Sequence, residues 1–132
     1  MSGQRILVVD DEDHVRTLTQ KTLERYGYQT LVARHGADAV ATYAQHRDVA
    51  VVLTDLAMPV MDGFAAIAAL KAINPMVRVI ASSGHSTSDA RARAIGAGAD
   101  AFINKPYTVE LLVRKIDDVL NHRPADVPEP RT

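Results

Sequence analysis

The stretch VVLTDLAMPVMDG, residues 51–63, joins an apolar run to a segment rich in turn residues, and Asp55 stands where the two meet. The apolar run begins at Val49 and is nearly continuous, which is typical of a parallel strand covered on both faces. Such a strand excludes a charge unless the charge is paired, bound to a metal or used in chemistry. Asp55 therefore indicates where a functional site should be sought.

The composition narrows the class of protein. The chain has 132 residues, 47% of them hydrophobic, which suits one domain with one substantial core. Its 15 Lys and Arg against 16 Asp and Glu give a formal net charge of -1, so this chain alone is not expected to bind nucleic acid. The absence of cysteine excludes disulfides and is compatible with a cytoplasmic location. The sequence shows neither a signal peptide nor an apolar run of about 18 residues, so export and membrane insertion are not expected.

Five β-rich runs alternate with segments of helical periodicity. The runs are residues 5–10, 28–33, 49–55, 77–83 and 101–105, of which the second is the weakest. A first helix follows the DDED segment, and further helices are predicted over residues 36–46, 62–74, 88–97 and 108–121. Strict alternation of this kind predicts a parallel sheet with helices on both faces and right-handed crossovers.

The first helix is predicted from side chains that recur at helical spacing: Val15, Leu18, Thr22, Leu23 and Tyr26. Gly27 is placed to end this helix in a left-handed conformation. At the other end of the chain, residues 122–132 contain three prolines and no apolar periodicity, so we expect an extended tail or the start of a linker. The predicted domain therefore covers residues 1–121.

Polar side chains follow four of the predicted strands. Because the carboxyl ends of parallel strands meet at one edge of a sheet, these side chains should converge; they are Asp10, Asp11, Asp55, Ser82, Ser83 and Lys105, which Pro106 follows. Each has a purely structural alternative: Asp11 or Asp13 as a helix cap, Asp55 as a turn residue, Ser83 bonded to nearby backbone, and Lys105 as a surface charge. Their joint position at four strand ends favours a functional site.

Three carboxylates crowded together raise one another's pKa unless a cation intervenes. Oxygen ligands without His or Cys favour Mg²⁺ or Mn²⁺, and Mg²⁺ commonly keeps water and phosphate oxygens among its ligands. A lysine ammonium and a serine hydroxyl are suitable donors to the oxygens of a phosphoryl group, while a carboxylate can act as the nucleophile. The residues thus predict phosphoryl chemistry.

The segments VVDDE, LTDLAMPVMDG, ASSG and GAGADAFINKP resemble the receiver domain of two-component response regulators. Ser83 follows Asp55 by 28 residues and Lys105 follows Ser83 by 22, in the order of that family. The resemblance covers about residues 4–121. It implies a flavodoxin-like (βα)5 doubly wound fold, with a five-stranded parallel sheet in the order 2-1-3-4-5.

The resemblance also implies a role for each motif residue. Asp55 becomes the phosphoacceptor, which takes its phosphoryl group from a phosphohistidine on a sensor histidine kinase or a His-containing phosphotransfer protein. Asp10, Asp11, Asp55 and the backbone carbonyl of Ala57 become the ligands of Mg²⁺ or Mn²⁺. Ser83 becomes the switch hydroxyl, and Lys105 the cation that pairs with the phosphoryl group.

Further residues are implied to tune the switch. Phe102 occupies the position of an aromatic that changes rotamer when the hydroxyl moves, and Pro106 would set the direction of the loop into the last helix. His85 lies two residues beyond the switch hydroxyl and is expected to affect the lifetime of the phosphoryl group. Tyr107 is expected to put a hydroxyl on the surface of the fourth and fifth helices.

The leading interpretation is a phosphorylation-controlled signalling switch rather than an enzyme. Phosphorylation would change the face made by the fourth helix, the fifth strand and the fifth helix, and with it the affinity for a downstream protein or an output domain of the same chain. The domain would be a monomer or a phosphorylation-dependent dimer. Two alternatives are a phosphorylation-independent pseudo-receiver and a nucleotide- or flavin-binding enzyme of the same architecture. The latter is disfavoured because the acidic DDEDH segment occupies the place of a phosphate-binding loop.

Overall fold

The computed structural model describes residues 4–56, 63–84 and 88–121, and these form a five-stranded parallel sheet flanked by five helices. The expectations for Ala57, His85 and the tail over residues 122–132 lie outside the described residues. The elements, in chain order, are β1 Arg5–Val9, α1 Asp13–Arg25, β2 Gln29–Ala33, α2 Gly36–Gln45, β3 Val49–Asp55, α3 Gly63–Ile73, β4 Arg78–Ser83, α4 Ser88–Ala97, β5 Ala101–Asn104 and α5 Val109–Leu120.

The strand order is β2-β1-β3-β4-β5, and every neighbouring pair is parallel. This confirms the predicted fold class and strand order. The predicted strands and helices are all present, and their ends differ by at most one residue from those expected. Such differences arise because helix and strand ends are set by a few local hydrogen bonds that sequence periodicity does not report.

Two apolar layers cover the sheet. On one face, α2, α3 and α4 contribute buried side chains such as Tyr43, Ile67 and Ala94. On the other face, α1 and α5 contribute Leu23 and Ile116 among others. Because β1 and β3 are buried on both faces, they need apolar residues at nearly every position, which explains their continuous runs.

The buried face of α1 differs from the prediction. The predicted Leu23 is buried, but Leu18 is 59% exposed and Tyr26 is 47% exposed, and Thr19, which was not predicted, is buried as well. Thr19 can be buried because it lies beside Tyr107, whose phenol gives its hydroxyl a polar neighbour. Apolar periodicity ranks Leu18 above Thr19, since it cannot see a partner so distant in sequence. The predicted end at Gly27 is confirmed by its φ of 91°.

The start of α1 excludes the alternative that Asp11 or Asp13 serves as the N-cap of this helix. The helix is capped at Glu12, which makes no side-chain capping hydrogen bond, and Asp13 is already inside the first turn. Neither Asp11 nor Asp13 is therefore the N-cap. Within the described residues, no helix has the length and apolar character needed to cross a membrane.

Candidate functional site

An acidic cluster lies at the carboxyl edge of the sheet. The central strands β1 and β3 are neighbours, and Val9 on β1 pairs with Thr54 on β3. The next residue along the chain is Asp10 in the first case and Asp55 in the second. One carboxylate oxygen from each of Asp10, Asp11 and Asp55 lies within 4.8 Å of the others. Asp10 and Asp55 are buried and Asp11 is exposed, so the cluster reaches from the sheet edge to solvent.

Asp10 is held at all four of its polar positions. Its backbone N–H donates to the carbonyl oxygen of Ala33 at 3.2 Å, and its own carbonyl oxygen accepts from Arg16 Nη1 at 2.9 Å. Of its carboxylate oxygens, Oδ1 accepts from the Glu12 backbone N–H at 3.0 Å and Oδ2 accepts from Lys105 Nζ at 3.0 Å. These contacts come from four different segments, so the carboxylate has a defined direction.

Lys105 links the two buried acids. Its Nζ lies 3.0 Å from Asp10 Oδ2 and 3.4 Å from Asp55 Oδ2. Burial alone would lower the pKa of Lys105, but the hydrogen bond to Asp10 and the charges of Asp55 and Asp10 outweigh it, so the pKa lies above the ordinary value. Lys105 is therefore protonated at neutral pH and can donate hydrogen bonds to an anion at this edge.

The candidate switch hydroxyl lies on the neighbouring strand. Asp55 on β3 pairs with Ser82 on β4, which places Ser83 one residue beyond the acceptor position. Ser83 is buried, and its carbonyl oxygen accepts from the Lys105 backbone N–H at 2.9 Å. Ser82 Oγ donates to the carbonyl oxygen of Thr54 at 3.4 Å, so this neighbouring hydroxyl is used within the sheet.

The remaining predicted switch residues occupy distinct places. Phe102 is buried in the apolar layer formed with α2, α3 and α4. The Lys105–Pro106 peptide bond is cis, and Pro106 is exposed.

The structure places Tyr107 beside α1 and α5 rather than beside α4. Its ring is partly buried against the layer formed by α1 and α5, and the hydrogen bond that acts on its pKa comes from Thr19 on α1. Burial raises its pKa, against the opposing effects of Lys105 and that hydrogen bond. The Tyr107–Thr19 contact could not be read from either segment alone.

A groove of about 540 Å³ adjoins the cluster, and sequence reasoning did not identify it. It is lined by Glu12, Val15, Leu18, Thr19, Gly84, Lys105, Pro106 and Tyr107. The sequence signal was the apolar pair Val15 and Leu18 after the acidic segment, which the sequence analysis used only as evidence of helical periodicity. A partner that enters this groove would contact Lys105 directly.

The described residues fit a divalent cation. Three carboxylates and one ammonium carry a net charge of about -2, and only hard oxygen ligands are present in the acidic cluster. Mg²⁺ and Mn²⁺ prefer such ligands. When bound, the ion would supply positive charge that neutralises the cluster and a phosphoryl group beside it.

Comparison with known proteins agrees with this geometry. The family model for the response regulator receiver domain matches residues 6–117. The transcriptional regulatory protein PrrA of Mycobacterium tuberculosis is 34% identical over 123 residues, which are 93% of this chain and 52% of that protein. The chemotaxis protein CheY of Bacillus subtilis is 35% identical over 120 residues, 90% of this chain and 99% of that protein.

The structural comparison gives the same result. The crystal structure of the chemotaxis protein CheY4 of Vibrio cholerae superposes with a TM-score of 0.85 at 26% identity, covering 90% of this chain and all of that one. A LuxR-family response regulator from Aurantimonas sp. SI85-9A1 gives a TM-score of 0.87 at 27% identity, covering 93% of this chain and 89% of that one. The chain spans about half the length of PrrA and nearly the whole of the Bacillus CheY. The chain belongs to the family of response regulator receiver domains of two-component systems.

Proposed function

We propose that this receiver domain accepts a phosphoryl group on Asp55 from a phosphohistidine donor in a reaction that requires Mg²⁺ or Mn²⁺. The observation that carries the proposal is the position of Lys105, whose Nζ lies 3.4 Å from Asp55 Oδ2 and 3.0 Å from Asp10 Oδ2. An acceptor carboxylate needs a cation beside it that can pair with the incoming phosphoryl oxygens.

The chemistry assigns one role to each residue. A carboxylate oxygen of Asp55 attacks phosphorus, an O–P bond forms, and the P–N bond to the donor imidazole breaks, leaving the electron pair on that nitrogen. Lys105 donates a hydrogen bond to one phosphoryl oxygen and the Ser83 hydroxyl to another. Asp10 and Asp11, with the carbonyl of Ala57 and Asp55 itself, would hold the metal ion.

The proposal extends to partners and location. The donor would be a sensor histidine kinase or a phosphotransfer protein, and the response would be read on the face formed by α4, β5 and α5 by a downstream protein or an attached output domain. We assign residues 1–121 to the receiver and residues 122–132 to a tail or linker, in a cytoplasmic protein that is a monomer or a phosphorylation-dependent dimer. Neither nucleic acid nor membrane is proposed as a direct partner of this chain.

A pseudo-receiver that signals without phosphorylation is the second candidate. It would tolerate loss of the acceptor, the lysine or the acids, yet Asp10, Asp11, Asp55 and Lys105 are all present and lie together. Their retention favours phosphorylation. Ser83 and Phe102 would then shift together, with Phe102 moving within the packed layer that now buries it.

The test is incubation of the purified protein with a small phosphodonor, such as phosphoramidate, in the presence of Mg²⁺, followed by intact mass measurement. The wild type should gain the mass of one phosphoryl group, whereas Asp55→Asn and wild type in EDTA should gain none. A wild type that stays unmodified while Mg²⁺ is present would contradict the proposal. If Asp55→Asn gained the same mass as wild type, the phosphoacceptor would have to be a residue other than Asp55.

A further inference from the structure

Arg16 on α1 contacts the peptide bond that joins the two adjacent acids. Its Nη1 donates to the carbonyl oxygen of Asp10 at 2.9 Å, and this oxygen belongs to the peptide plane shared by Asp10 and Asp11. The Arg16 side chain is only 12% exposed. The same guanidinium pairs through Nη2 with Asp13, so both of its terminal nitrogens are engaged.

The Asp10 end of this planar peptide is fixed by the hydrogen bond from its backbone N–H to Ala33, so fixing the carbonyl oxygen as well sets the orientation of the plane. The hydrogen bond from Arg16 therefore sets the direction in which the chain leaves Asp10 and enters Asp11. This matters most for Asp11, because within residues 4–56, 63–84 and 88–121 its exposed carboxylate has no hydrogen bond or ion pair to define its position. By contrast, the Asp10 carboxylate is held independently by Glu12 and Lys105.

We propose that Arg16 is a positioning residue for the metal site, acting through the Asp10–Asp11 peptide and not through contact with the ion. Helix α1, which carries Arg16, is anchored in the core by Thr19 and Leu23. The hydrogen bond from Arg16 therefore fixes the Asp10–Asp11 peptide relative to the core. The inference rests on the proposed binding of Mg²⁺ or Mn²⁺ at the cluster. Groups that orient metal ligands from outside the coordination sphere typically change metal affinity by about 10- to 100-fold when removed.

A merely structural role would also destabilise the protein, so the readout must separate the two. The primary measurement is the dissociation constant of Mn²⁺ at the acidic cluster, obtained by electron paramagnetic resonance. Mg²⁺ is the competitor, and no phosphodonor is present. Removing the guanidinium in Arg16→Gln should raise the dissociation constant about 10-fold. In phosphorylation assays the half-saturating Mg²⁺ concentration should rise in parallel, whereas the rate at saturating Mg²⁺ should return to within about twofold of wild type, because the reacting groups are intact.

Asp13→Asn is the matched control. It removes the ion-pair partner of Arg16 in the first turn of α1 but keeps the guanidinium available to the Asp10 carbonyl, so the dissociation constant should stay close to wild type. Arg16→Lys retains a cation without the planar fork and should give an intermediate value. This variant also serves if Arg16→Gln does not fold, since its affinity alone then decides the outcome.

Each result has a definite meaning. Wild-type affinity in both Arg16 variants overturns the inference while leaving the proposed function intact. An equal loss in Asp13→Asn would assign the effect to the ion pair and would also overturn it. If wild type itself binds no Mn²⁺, the metal site of the proposed function has failed. If wild type binds Mn²⁺ but is not phosphorylated, only the proposed function fails, and the binding data still decide the role of Arg16.

Discussion

Lys105 keeps a positive charge at a place where burial works against charge. The Lys105 side chain is 22% exposed, and its ammonium group contacts the carboxylates of Asp10 and Asp55, whose side chains are 7% and 10% exposed. The raised pKa of Lys105 shows that these neighbours outweigh the loss of hydration. The two acids therefore stabilise the charged form of the lysine, and a phosphoryl group entering the site would meet a cation already in position.

Gly63 is a second residue on which the site depends. Its backbone N–H donates to the Leu56 carbonyl oxygen at 2.9 Å, which brings the start of α3 back against the end of β3. An added Cβ would lie 2.6 Å from both the Asp55 carbonyl oxygen and the Leu56 Cα. Both are backbone atoms, so they cannot rotate away as a side chain could.

Gly63→Ala should therefore destabilise the protein by about 1–3 kcal/mol, the usual cost of forcing extra atoms into a packed site. The measurement is urea unfolding followed by circular dichroism. Gly96→Ala in α4 is the control, since among the described atoms an added Cβ there meets nothing within 4 Å. That control should gain about 0.5–1 kcal/mol from the lower conformational freedom of alanine in the unfolded chain. Unchanged stability in Gly63→Ala would contradict the close approach.

At the scale of elements, α3 and α4 are joined by a contact that neither helix pattern predicts. The Arg93 guanidinium carbon lies 4.2 Å from the centroid of the Phe64 ring, a cation–π geometry. Phe64 is the second residue of α3, the helix that follows β3, while Arg93 lies on α4, the helix that follows β4. The contact therefore connects the two segments that flank the site.

We expect a coupling energy of about 0.5–1 kcal/mol between Phe64 and Arg93, the range for cation–π pairs at exposed positions. It is measured by a double-mutant cycle of Phe64→Leu, Arg93→Gln and the double variant in urea unfolding. Hydrogen exchange of the α4 amides should accelerate in both single variants. Additive effects of the two substitutions, with no coupling, would show that the ring and the guanidinium do not stabilise the pairing of α3 with α4.

How well each element could be predicted depended on where its partners lie in the sequence. The runs β1 and β3 were identifiable because strands buried on both faces need apolar residues throughout, and Asp10 and Asp55 could be assigned to one edge because parallel strands share it. Only part of the buried face of α1 was predictable: Leu23 follows the apolar periodicity, whereas Thr19 is buried beside Tyr107, a neighbour distant in sequence. The contact from Arg16 to the Asp10 carbonyl was missed for a similar reason: backbone groups carry no sequence signal.

At the scale of the whole molecule, the sheet separates a chemically simple interior from a charged edge. Its two apolar layers are formed by α2, α3 and α4 on one face and by α1 and α5 on the other. The carboxyl edge of β1 and β3 carries Asp10, Asp11 and Asp55, with one carboxylate oxygen of each within 4.8 Å of the others, and Lys105 pairs with Asp10 and Asp55. The free energy of unfolding should therefore respond to any ion that neutralises this edge.

Asp11 provides the test, because its exposed carboxylate adds repulsion to the edge in the absence of metal and a ligand in its presence. In EDTA, Asp11→Asn should be more stable to urea than wild type. Adding Mg²⁺ should stabilise wild type by about 1.4 kcal/mol for each tenfold increase above the dissociation constant, as mass action requires for a ligand of the native state. The variant should respond much less, so that the two stability curves cross.

Asp118→Asn is the control, since it removes one exposed negative charge near the end of α5. It should keep the wild-type response to Mg²⁺, because its charge is not part of the acidic cluster. A parallel Mg²⁺ response in Asp11→Asn and wild type would exclude Asp11 as a ligand. A wild type more stable than Asp11→Asn in EDTA would mean that the Asp11 carboxylate is stabilised by the protein itself, and that the edge does not need an ion to be neutralised.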